Sequence, residues 1–203
     1  MVSSTNPRGV GPHPKPWPND TRFDAELLAE GDSRNVVDKY RYWSNEAIIE
    51  DLDSQRSGLE IAIENLDHDF NMGTIVRTAN AFNARKVYII GRKQWNKRGA
   101  MVTNRYLDVQ HFAELAEFLQ DTKDKDLIAI DNHPGAEALN NFKFSEQSVL
   151  VFGSEASGIS SELLKHCRAM VEIEQFGSTR SVNVGVAAGI VMYAYMRQHV
   201  LKS

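Results

Sequence analysis

From residue 58 onward, short apolar runs alternate with helix-patterned segments, and that alternation limits the chain to few architectures. "LEIAIENL" (59–66), "KVYIIG" (86–91), "DLIAI" (126–130), "SVLVFG" (148–153) and "VEIEQF" (171–176) read as strands. Between and after them, "GTIVRTANAF", "HFAELAEFLQ", "SSELLKHCRAM" and a long segment from Val182 to Leu201 carry helical spacing. Strands this short and apolar, separated by helices, predict an α/β domain with a mostly parallel sheet covered by helices on both faces. No internal repeat interrupts the pattern.

The first third of the chain is different. Five of the six prolines fall within residues 7–18, where no apolar periodicity is visible, so residues 1–19 are expected to form a disordered or extended tail. Residues 20–57 are acidic and hold two short helical patterns, "FDAELLAEG" and "NEAIIEDLDSQRS", the second capped by Ser44 or Asn45. The expected organisation is therefore tail (1–19), helical extension (20–57) and α/β domain (58–203). A hydrophobic content of 42% with 25% charged residues suits a globular protein. No run approaches the roughly eighteen apolar residues of a membrane span, and the N-terminus has no apolar leader core, so a cytoplasmic location is expected. The single cysteine, Cys167, has no partner for a disulfide or a metal site and reads as a small helical hydrophobe.

A net charge of −4 rules out a uniformly basic coat for nucleic acid, but charge is unevenly spread. Arg85, Lys86, Arg92, Lys93, Lys97, Arg98 and Arg105 occur with no acid among them, and Tyr88, Trp95 and Tyr106 are interleaved. Such a stretch is either a solvated loop or a nucleic-acid face, since Lys and Arg neutralise phosphate and aromatic rings stack on unpaired bases.

Ligands of parallel sheets sit beyond the carboxyl ends of the strands, which directs attention to three loops. The first supplies Asn71, Gly73 and Arg77, with Gly73 read as the turn into a helix and Arg77 as an anion-holding group one turn on. The second, "GSEASG", has Gly153 and Gly158 at the spacing of a phosphate-binding loop, but Ile159 stands where the lysine is needed and Glu155 would repel phosphate. The third, "FGSTRSVNVG", places Ser181 and Asn183 before a helix rich in Gly185, Ala187, Ala188 and Gly189, whose small side chains permit close backbone approach.

Taken together, "FNMGTIVRTANAF", "VLVFGSEASGIS" and "VEIEQFGSTRSVNVGVAAGIVMYAY" resemble the three ordered motifs of the SpoU/TrmH family of RNA ribose 2′-O-methyltransferases, in the SPOUT superfamily. The resemblance covers about residues 58–198. It implies a C-terminal trefoil knot, a homodimer packed through the knotted helices, and S-adenosylmethionine as cofactor. It implies cofactor contacts at Ile130, Gly153, Ile173 and Val182, with Phe152, Gln175 and Ser181 nearby. Arg77 matches the arginine beside the reacting ribose, and Asn71, Glu155, Ser181 and Asn183 match the other polar site positions. No metal is implied.

A guanidinium with a pKa above about 12 is a poor base, so Arg77 is read as an anchor for the adjoining phosphate and for developing alkoxide charge. Lys93, Lys97 and Arg98 are read as RNA contacts, with the basic loop serving a partner's site. Phe70 and Glu174 depart from the family pattern, which commonly has proline at both positions. Two related alternatives are a non-catalytic RNA-binding dimer of the same fold and a base-methylating enzyme. A dinucleotide-binding enzyme is disfavoured, because no G-x-G-x-x-G follows the first strand. Transfer RNA and ribosomal RNA are both compatible substrates.

Overall fold

The structure is a computed structural model that describes residues 9–64, 69–91, 105–154 and 156–201. The chain forms two compact units, Met1–Gln55 and Arg56–Ser203.

In the first unit, α1 (Ala25–Glu30) is capped by the Asp24 carboxylate and α2 (Asn45–Asp53) by Ser44, whose hydroxyl accepts the Ala47 N–H. Asp32, fully buried, ties this unit together. Its carboxylate accepts the backbone N–H and the guanidinium of Arg34 and the N–H of Tyr42, at 2.8 to 3.0 Å. Burial by itself would raise the Asp32 carboxyl, but these hydrogen bonds and the Arg34 charge outweigh it and hold the group at about 2. Residues 9–19 lie against this centre at two points and bend at residues 15–16, where the Trp17 indole N–H reaches back to the His13 carbonyl at 3.2 Å. Val10 pairs with Asp32 as an antiparallel bridge, and the His13 N–H reaches the Leu28 carbonyl at 2.9 Å.

The second unit contains β1 (Glu60–Glu64), α3 (Asp69–Ala81), β2 (Lys86–Ile90), β3 (Asp108–Phe112), α4 (Leu115–Asp121), β4 (Asp126–Ile130), β5 (Glu137–Ala138), β6 (Ser148–Phe152), α5 (Ser161–Leu164), β7 (Ala169–Glu172) and α6 (Val184–His199). The strands form a seven-stranded sheet in the order β3-β2-β1-β6-β4-β7-β5, every pairing parallel. Alternation sorts the side chains into two cores. Ile61, Ile63, Val87, Ile89, Leu150 and Phe152 pack with residues of α3 and α6 on one face. Ala62, Tyr88, Ile90, Val149 and Val151 pack with Phe118 of α4 and Leu163 of α5 on the other. Helices thus cover both faces, as the alternating pattern predicts.

Some elements differ from their expected extents. "HFAELAEFLQ" divides into the end of β3 and the helix α4, because His111 and Phe112 continue a parallel pairing with Ile89 and Ile90. The helix expected over 160–170 ends at Leu164, and Ala169 and Met170 belong to β7. Cys167 accordingly follows α5; burial pushes its thiol up to about 11, which leaves it unreactive at neutral pH.

The aromatic reading of the basic stretch is also corrected. Tyr88 and Tyr106 are buried, so neither is available to stack on a base. Tyr88 donates its hydroxyl to Glu60 at 2.6 Å, and Lys125 donates to the same carboxylate at 2.6 Å and to the tyrosine oxygen at 3.0 Å. Burial, then the Glu60 hydrogen bond and charge, push the phenol well above its ordinary range. The other flanking cation, Lys86, pairs with Asp121 at 3.0 Å. This network sits at the amino ends of β1 and β2 and just before β4, opposite the ends where a ligand would bind. It is a structural clasp. Lys125→Met strands a buried carboxylate and is expected to cost about 3 kcal/mol in urea unfolding, whereas adding Glu60→Gln should recover most of that loss.

Candidate functional site

At the carboxyl ends of β4, β6 and β7 lies a cavity of about 260 Å³. One wall is the chain leaving β4 (Ile130, Asp131, Asn132), a second the chain leaving β6 (Phe152, Gly153, Ser154), and a third Val171, Ile173 and Gln175. The stretch Ser181–Val184 and Ala187 of α6 close it. Ile130, Phe152, Gly153, Ile173, Gln175, Ser181 and Val182, named in sequence as far as 52 positions apart, therefore meet around one space.

Two glycines make the second wall. Ser154 and Gly158 exchange backbone hydrogen bonds at 3.0 and 2.9 Å, and the Ser157 N–H is bonded to the Ser154 hydroxyl at 3.0 Å. These N–H groups are engaged within the loop, consistent with the weak phosphate-loop signal in the sequence. A Cβ on Gly153 would overlap the carbonyl of Gly158 and the nitrogen of Ile159. Gly158 has φ +67°, and its α-carbon faces the Asp131 carboxylate, where a Cβ would stand 2.7 Å from Oδ2.

Asn183 fixes the stretch that closes the cavity. Its Oδ1 caps α6 by accepting the N–H groups of Gly185 and Val186 at 2.9 and 3.3 Å, while its Nδ2 donates to Asn71 Oδ1 at 3.1 Å. Asn71 is buried on α3. The small residues of α6 serve this same contact: Gly185 faces the Thr74 methyl and Gly189 the Thr78 methyl, with both threonine hydroxyls bonded back into α3. The crowded face of the last helix is thus packed inside the chain. Beside that face α6 exposes Val186, Ile190 and Tyr193.

The reading of Gly73 as the turn into the first motif's helix is corrected, because α3 begins at Asp69 and Gly73 lies buried within it. Arg77 is on the same helix, exposed, and outside the cavity wall. Glu155, Lys93, Lys97, Arg98 and Trp95 lie outside the described residues. Glu174 is partly exposed between two wall residues.

Several wall residues carry no signal in the sequence. Asp131 and Asn132 follow an ordinary strand, yet Asp131 brings a carboxylate to the cavity and Asn132 donates its side-chain N–H to the Arg180 carbonyl, joining the β4 loop to the loop before α6. Asp131 also borders a neighbouring depression with Glu64, His133, Ser157 and Ser160, where the Glu64 carboxylate accepts the Ser160 N–H at 2.7 Å. Among the described residues, Gln175 Oε1 is buried with no hydrogen-bond donor. An acceptor left bare in a cavity wall, together with apolar neighbours and one carboxylate, fits a ligand that offers an amino group and positive charge. Among the described residues no group of three or more His, Cys, Asp or Glu side chains could hold a metal, and no helix is long and apolar enough to cross a membrane.

An all-parallel three-layer α/β domain with a ligand cavity at its strand ends is one broad class of fold. Comparison narrows it: residues 58–193 match the SpoU rRNA Methylase family, and the chain belongs to that family. An uncharacterized tRNA/rRNA methyltransferase of Synechocystis sp. is 31% identical over 174 residues, covering 80% of this chain and 44% of the relative. One of Mycobacterium avium is 29% identical over 170 residues, covering 80% and 54%. The tRNA (guanosine(18)-2′-O)-methyltransferase of Saccharomyces cerevisiae is 29% identical over 154 residues, which is 71% of this chain but 11% of that protein. The chain thus spans about half the length, or less, of these relatives. Among solved structures, the A. aeolicus TrmH/SpoU tRNA modifying enzyme superposes with a TM-score of 0.68 at 23% identity, over 76% of this chain and 81% of that one. The Streptomyces viridochromogenes SpoU methyltransferase AviRb in complex with AdoMet gives 0.66 at 21% identity, over 75% and 62%.

Because Gly153 admits no side chain, Gly153→Ala is expected to displace the β6 loop. Calorimetric titration with S-adenosylmethionine should show a loss of affinity of at least tenfold relative to the unaltered chain, about 1.4 kcal/mol or more.

Proposed function

We propose that this chain is an S-adenosylmethionine-dependent RNA methyltransferase acting on a ribose 2′-hydroxyl. The observation that carries the reading is the cavity at the ends of β4, β6 and β7, whose wall combines an apolar slot, an unmatched buried acceptor and a carboxylate. Those features suit the cofactor. Backbone at Ile130, Gly153, Ile173 and Val182 would flank the adenosine, and Gln175 Oε1 offers an acceptor for an adenine amino group. The Asp131 carboxylate favours a cationic ligand over a neutral one. When bound, S-adenosylmethionine supplies a methyl group on a positively charged sulfur, a good leaving group.

The chain's own task is then to align a ribose hydroxyl and favour loss of its proton. Arg77 is the candidate for holding the adjoining phosphate and stabilising negative charge on the attacking oxygen, because a guanidinium presents a planar fork of donors to two oxygens at once. Asn71 and Asn183 position rather than react: their mutual hydrogen bond joins the helix that carries Arg77 to the loop that walls the cavity. Ser181, exposed at the cavity edge, is open to substrate.

The reading includes two further features. One is a trefoil-knotted C-terminal segment, which the motif resemblance implies; the Asn132 side chain, donating to the Arg180 carbonyl, holds the β4 loop against the loop before α6. The other is a homodimer, supported by the exposed apolar stripe of Val186, Ile190 and Tyr193, spaced to share one side of α6. Introducing charge there, as Ile190→Asp, should shift sedimentation velocity from dimer to monomer.

The activity is tested by incubating the protein with methyl-labelled S-adenosylmethionine and unmodified tRNA or rRNA transcripts, then digesting the RNA to nucleosides. Label in 2′-O-methylnucleosides is expected; label confined to bases, or none despite cofactor binding, would refute the reading. Arg77→Lys should bind the cofactor within about twofold of normal but transfer methyl on the order of 100-fold more slowly, since a lysine cannot reproduce the two-pronged contact.

A further inference from the structure

Two phenylalanines on segments attached to the cavity wall stand in solvent, where burial would be the ordinary state of so apolar a ring. Phe176 is 98% exposed and Phe70 is 75% exposed. Phe176 follows Gln175 on the loop whose two ends, Ile173–Gln175 and Ser181–Val184, both wall the cavity. Phe70 precedes Asn71, which is bonded to Asn183 at the far end of that loop, and its carbonyl accepts the hydroxyl of Thr74, the residue facing Gly185. Both rings therefore flank the segment that forms the cavity's outer wall.

Each ring has an exposed arginine on its own element. Arg180 follows Phe176 by four residues in the loop, and Arg77 follows Phe70 by seven on α3, a spacing that keeps both on one side of a helix. An exposed ring coupled to an exposed guanidinium matches an unpaired nucleotide, which presents a flat base to the one and a phosphate to the other. The rest of the loop, Gly177, Ser178 and Thr179, is small and polar. The apolar stripe suited to a second copy of the chain, Val186, Ile190 and Tyr193, is carried by α6 and not by the loop that bears Phe176.

We propose that Phe176, assisted by Phe70, is a stacking platform that grips an unpaired base of the RNA at the cavity mouth, so that the enzyme selects single-stranded nucleotides over paired ones. The proposal rests on the RNA methyltransferase reading and deepens it: the rings confer substrate selection, and the cofactor cavity functions without them.

The test uses a fluorescently labelled RNA single strand of about 12 nucleotides, an abasic strand of the same length, and the corresponding duplex, with S-adenosylhomocysteine present. The unaltered protein should prefer the single strand to the duplex. Phe176→Ala should weaken single-strand binding about tenfold, with a smaller loss for Phe70→Ala, while Phe176→Trp restores it. The abasic strand should bind Phe176→Ala and the unaltered protein equally. Unchanged single-strand binding by Phe176→Ala, or equal losses on the normal and abasic strands, would overturn the platform. So would loss of cofactor affinity or of the dimer in that variant, since the ring would then be a folding or interface group. Failure of the underlying reading is separately visible: the unaltered protein would bind cofactor and no RNA of any kind, and both would fall together.

Discussion

The start of α6 is fixed by a single side chain that faces two ways. Asn183 caps the helix with its oxygen and donates its amide nitrogen to Asn71 of α3, so the helix end, the loop before it and the neighbouring helix share one anchor. The approach is close because Gly185 and Gly189 present no side chains to Thr74 and Thr78. Without that proximity Ser181–Val184 would have no fixed position, and the cavity would lack a wall. An asparagine in this role combines helix capping with a cross-link, two uses of one amide that an aspartate, which has no N–H to donate, cannot reproduce.

The two ends of the sheet have different chemistry. At the amino ends Glu60, Tyr88 and Lys125 satisfy one another in a buried cluster with short bonds. At the carboxyl ends the polar groups are incompletely matched: Gln175 keeps a bare acceptor, and Asp131 presents its carboxylate to a cavity. Saturated hydrogen bonding stabilises a fold, and unsatisfied groups in a concave wall favour binding a ligand. Perturbed side chains therefore do not all mark function, and Tyr88, whose phenol burial and Glu60 push upward, belongs to the stable end.

Sheet strands with continuous apolar runs could be read from the chain directly: β1, β2, β4 and β6 are buried on both faces and have no polar alternation to confuse the pattern. Strand β3 could not, because Asp108, Gln110 and His111 lie on an edge where burial demands little, and its last residues run straight into α4. The early start of α3 was hidden by Gly73, a residue that usually ends helices and here is buried inside one. Tyr88 and Tyr106 misled for a similar reason, since basic neighbours suggest a surface while strand alternation turns Tyr88 into the core. Eight positions named by the motif resemblance, Asn183 among them, line the cavity, but Asp131 and Asn132 follow an ordinary strand with no distinguishing local pattern.

Periodicity and composition by themselves determined that a parallel α/β domain follows an unlike N-terminal segment, because burial on two sheet faces leaves a local imprint on the chain. Three ordered motifs determined the family. What only the tertiary structure decided is which residues share a space: that Ile130 meets Val182, that Asn71 bonds Asn183 across 112 positions, and that the glycines of α6 face threonines of the same chain. These contacts depend on strand order and helix approach, which are set by packing among distant segments and leave no mark at any one position.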